Sequence, residues 1–172
     1  MNNPQDKTQM TPCNSPLPEL EVPMINTMVM CLGIEHRKLN ELIMQLACAA
    51  TRLANDPGAV TAHERALEVR DEIQHALRSH LQIEDGLVSW GKDHHAISGA
   101  LLDIVKNERI EMHKSMAALR ALSSGVDHEL QTDGDRRDIA QTLLALARTL
   151  DSHVERYDAD VLPSILRALP HH

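Results

Sequence analysis

From Pro23 onward the apolar positions recur at helical spacing in four separate runs. In the first, Met28, Leu32, Leu39, Ile43 and Leu46 share one stripe, and the run stops at "DPG". The second opens with a capping box, Thr61 and Glu64, and carries Val69, Ile73, Ala76, Leu77, Leu87 and Val88 on one face to near Trp90. The third extends from near His95 to Leu122 with Leu101, Val105, Met112, Met116 and Leu119, and stops before "SSG". After the polar "VDHELQTDGD" a fourth run carries Leu143, Leu146, Leu150, Tyr157 and Val161, with Pro163 near its end. Four long amphipathic helices joined by short polar links predict an all-α, up-down-up-down four-helix bundle over residues 23–168. Residues 1–22 hold four prolines and no apolar period, which predicts an irregular N-terminal extension; residues 169–172 form a short C-terminal tail.

Composition agrees with the helical reading. Phe is absent, Tyr and Trp occur once each, and Gly numbers seven, so strand-forming aromatics and helix breakers are both scarce. A formal net charge of -8 and no Lys/Arg cluster argue against nucleic acid or an anionic membrane as partner. No apolar run is long enough to span a bilayer, and the N-terminus has neither a basic start nor an apolar stretch of the secretory kind. Cys13, Cys31 and Cys48 make no C-x-x-C pair, so reduced thiols and a cytoplasmic location are expected.

The stripes are not purely apolar. At about 100° per residue, His80 lies about 20° from Ile73 and Leu87, and Glu84 about 20° from Leu77, so both face the core. His36 lies about 20° beyond Ile43, and Glu35 about 20° from Met28 and Leu46. On the third helix His113 falls at the edge of the stripe, with Glu108 and Arg109 inside it; on the fourth His153 and Asp158 flank Tyr157. A single inward His is ordinarily a hydrogen-bonded core residue, and H-x-x-x-E is a common helix pair, but here every helix contributes both an imidazole and a carboxylate. Arg109 is the one inward cation near them, since Arg65 and Arg70 lie about 22 Å and about 15 Å along the axis from His80. Several buried carboxylates with one cation are costly unless a metal is bound. His75 faces away, His63, His94, His95 and His128 are expected in solvent, and His171 and His172 are set aside as terminal.

His36 precedes His80 and Glu84 by nearly the same interval as His113 precedes His153 and Asp158, which describes one half-site plan used twice. Four imidazoles and two carboxylates in a bundle core suit two metal ions, and a donor set without thiolate favours Fe, Mn or Zn.

"EHRKL" (35–39), "HLQIED" (80–85), "MHKSM" (112–116) and "HVERYDADVLP" (153–163) together resemble the hemerythrin-like, or HHE cation-binding, family over about residues 23–168. The resemblance implies two non-haem iron ions in an Fe-O/OH-Fe centre, with His36, His80, His113 and His153 as terminal ligands and Glu84 and Asp158 bridging. It also implies a small diatomic ligand or peroxide as the molecule bound, with storage, sensing, stress response, oxidase or peroxidase chemistry, and iron handling for iron-sulfur repair as the open functions. Two departures stand out. Oxygen-carrying members have a second His on the third helix, where this chain has Arg109; iron-sulfur repair members repeat H-x-x-x-E on the fourth, where this chain has Tyr157. Arg109 offers no lone pair and is expected to pair with Glu108, Glu35 or a bridging carboxylate.

Overall fold

The computed structural model describes residues 21–56, 60–124 and 133–170. The expectations for most of the N-terminal extension, for Pro57 and Gly58, for His128, for the side chain of Leu119 and for the terminal His pair lie outside those residues. Four long helices follow in order: α1 (Glu21–Asn55), α2 (Val60–Asp93), α3 (Gly99–Ser124) and α4 (Asp133–Arg156). A π-helical turn (Tyr157–Val161) and a short α5 (Leu162–Ala168) continue α4, and no strand occurs among the described residues. The architecture is the expected all-α bundle: α1 packs against α2 and α4, and α3 rests chiefly on α4.

The stripes read from the sequence face inward. Leu32, Leu39, Ile43 and Leu46 of α1, Val69, Ile73, Ala76, Leu77 and Leu87 of α2, Val105, Met112 and Met116 of α3, and Leu143, Leu146 and Leu150 of α4 are all buried. Helix starts differ slightly. α1 begins two residues before Pro23, and Val60 precedes Thr61 in α2, so Thr61 lies inside the first turn instead of ahead of it. α3 begins at Gly99 because the chain first turns: His95 takes a left-handed φ of 53°, and the amides of Ala96 and Ile97 donate to the Gly91 carbonyl at 2.7 and 3.2 Å.

The apolar core comes in two parts. One gathers Leu39, Leu46, Ile73, Leu77, Met112, Leu146 and Leu150; the other gathers Ile25, Leu32, Leu87, Trp90, Val105, Tyr157 and Ile165. Between Leu32 and Leu39 stands His36, between Leu77 and Leu87 stand His80 and Glu84, and between Val105 and Met112 stand Glu108 and Arg109. A polar layer therefore crosses the bundle at mid-height.

Candidate metal centre

His36, His80, Glu84 and His153 are the buried polar residues of the described chain, each at 2% exposure or less. One atom each from His36, His80 and Glu84 fall within 4.8 Å of one another, a spacing that can hold a metal ion. The His36 and His80 rings are 5.0 Å apart between centroids, and those of His80 and His153 5.7 Å. Glu84 is the hub. His153 Nε2 donates to its Oε1 at 2.9 Å, His80 Nε2 lies 2.8 Å from the same oxygen, and Arg109 donates to Oε2 at 3.1 Å. Burial alone would push the Glu84 carboxyl up, but the His153 and His80 contacts outweigh it and hold the group down at about 2.

Asp158 is placed differently from the expected bridge. Its side chain is 52% exposed and its Oδ1 accepts from His36 Nδ1 at 2.6 Å. A π turn begins here: the Leu162 amide donates to the Tyr157 carbonyl five residues back, ahead of Pro163, and Tyr157 and Val161 stay buried. His36 itself stays neutral to lower pH than usual, because burial outweighs the Asp158 hydrogen bond.

His113 is not brought into the layer. It follows buried Met112 and is exposed, since one residue turns the side chain about 100° around the helix. It lines a cleft of about 220 Å³ between α2 and α3 with Leu77, Leu81, Met112 and Met116. The supply of cations was also underestimated. Glu108 is partly buried and paired with Arg156, a contact that a single-helix wheel cannot reveal, and Arg109 binds Asp85 as well as Glu84. Asp85 was legible only as the last residue of "HLQIED". Glu35 is partly buried and accepts from Ser79 at 3.4 Å. Among the remaining histidines, His75 is exposed as expected. His63 is partly buried, its pKa pushed down by that burial, and His94 stacks on Trp90 at 4.4 Å.

The layer fits a metal ion. His36 Nε2, His80 Nδ1 and His153 Nδ1 are buried without a hydrogen-bond partner, an arrangement that is costly for a bare protein and natural for imidazoles with an ion between them. Residues 32–165 match the family described as hemerythrin HHE cation binding domain. The chain belongs to this family. The match runs from just before His36 to just after Pro163 and so contains the whole polar layer of this hemerythrin-like bundle. No curated protein and no solved structure matches the chain significantly. Among the described residues no helix is long and apolar enough to cross a membrane.

Proposed function

We propose that the protein is a non-haem iron protein that binds dioxygen or a related small oxidant, peroxide or nitric oxide, at the buried layer. The observation that carries this reading is the set of buried imidazole nitrogens around Glu84 without hydrogen-bond partners. His36, His80, His153 and Glu84 would hold the iron, which when bound supplies reversible redox binding of a small oxidant. The chain's own part is to orient and enclose. Asp158 fixes the His36 ring with Nδ1 protonated, leaving Nε2 free to ligate. Arg109 fixes Glu84. Leu32 and Leu87 on one side, and Leu39, Leu77 and Met112 on the other, keep bulk water from the layer.

Oxidase or peroxidase turnover is a second reading, favoured by one observation. Burial, and next the charge of Glu84, hold the Tyr157 hydroxyl protonated beside the Arg109 guanidinium, which places a proton and a positive charge at the layer. Steady consumption of peroxide separates turnover from stable binding.

The test is metal analysis and visible spectroscopy of untagged protein after anaerobic loading with Fe(II), followed by exposure to air. Iron with a charge-transfer band that returns after each cycle of reduction and air supports the reading. A chain that stays helical and takes up no iron overturns it. His80→Ala should abolish iron binding, and His75→Ala, on the outer face of the same helix, should leave it unchanged.

A further inference from the structure

We propose that this centre holds one metal ion, with the Arg109 guanidinium standing where a second would be needed. The inference rests on the reading of the layer as an iron site. A carboxylate that bridges two ions must give one oxygen to each. Here the two oxygens of Glu84 are already divided: Oε1 faces His80 and His153, and Oε2 faces Arg109 at 3.1 Å. The guanidinium is permanently protonated and has no lone pair, so it repels a second cation and cannot ligate one. Asp85, on the next position of α2, also binds Arg109 and holds it over Glu84 from a second side.

Of the other donors, His113 faces solvent beside the α2–α3 cleft, and Glu108 gives one oxygen to Arg156 and turns the other toward His153 Nδ1 at 3.7 Å. Asp158 is bound to His36 Nδ1, the nitrogen opposite the one left for a metal, which makes it a positioning residue. His36 Nε2 and His80 Nδ1 have no hydrogen-bond partner, one atom each of His36, His80 and Glu84 lie within 4.8 Å of one another, and His153 Nε2 stands 2.9 Å from Glu84 Oε1, the oxygen that Arg109 does not hold. Three imidazoles and one carboxylate oxygen are a sufficient set for a single Fe, Mn or Zn ion. The fixed charge of Arg109 thus takes over the task of a second metal, neutralising Glu84 and fixing its orientation.

The experiment is iron quantification per folded chain after anaerobic loading with excess Fe(II) and removal of loose metal, read together with the EPR spectrum of the oxidised protein. One iron per chain and the half-integer-spin signal of an isolated ferric ion are expected. Two irons per chain with a spin-coupled, EPR-silent ferric pair would overturn the inference while leaving the iron reading intact; no iron in a folded chain would overturn both. Arg109→His removes the fixed charge and supplies an imidazole, and is expected to raise the content toward two irons with loss of the isolated signal. Arg109→Lys keeps the charge and should stay at one. An Arg109→His protein that is folded, loaded and still mononuclear would show that Arg109 does not exclude the second ion.

Discussion

At the scale of single residues, the weight of the centre falls on pairs that differ in kind. Glu84 is fully buried and faces donors on both oxygens, whereas Asp158 is half in solvent and bonds to His36. Their substitutions should therefore differ. Asp158→Ala is expected to weaken metal binding by about 10–100-fold, the usual cost of losing a partner that orients a ligating His, and Asp158→Asn, which keeps an acceptor for Nδ1, to recover part of it. Competition titration with a metal-sensing dye measures both; equal and complete loss in the two variants would instead make Asp158 a ligand. Of the six candidate positions read from the sequence, His36, His80, Glu84 and His153 are buried in one layer, which was legible because burial follows the helical wheel. His113 is exposed because at the edge of a stripe a few tens of degrees decide between core and solvent, and buried Met112 takes the inward position.

At the scale of elements, period and stop signals located all four helices, and the apolar stripes became the two cores. What the pattern could not express was a change of helical pitch. The run from His153 through Ile165 reads as one helix, yet the π turn lies inside it, with Tyr157, Val161 and Ile165 buried at four-residue spacing throughout. The α2–α3 corner shows a similar limit. A Cβ on Gly91 would lie 2.5 Å from Ile97 Cδ1, and Ile97 is buried there by the turn that its own amide makes to Gly91. Gly91→Ala is expected to cost about 1–3 kcal/mol through overpacking, despite the better helix propensity of Ala. Chemical denaturation checks this; a stabilised variant would mean that the corner yields freely.

At the scale of the whole molecule, burying histidines without a bound ion makes the fold sensitive to acid. His36 and His63 both have folded-state pKa values below the ordinary 6.5, chiefly through burial, so the unfolded chain binds protons more readily than the folded one. Their contribution to stability is complete above pH 6.5 and is lost as the pH falls. Glu84, lowered from 4.5 to about 2, adds a second loss that begins near pH 4.5. The melting temperature of chelator-treated protein should thus hold near pH 7.5 and fall from about pH 6.5 toward pH 5, and one that rises on acidification would contradict the assignment.

The seating of α3 has a consequence for motion. α3 rests chiefly on α4, and a cleft opens between it and α2, so the free energy of detaching α3 locally is smaller than that of detaching α1, which is packed on two sides. Amide protons at Val105 and Met112 should accordingly exchange with deuterium well before those at Leu39 and Ile73, although all four side chains are equally sheltered in the resting fold. A solute that must reach His80 from the side of this cleft would then meet a fluctuating wall, and its rate of entry would follow the breathing of this one helix.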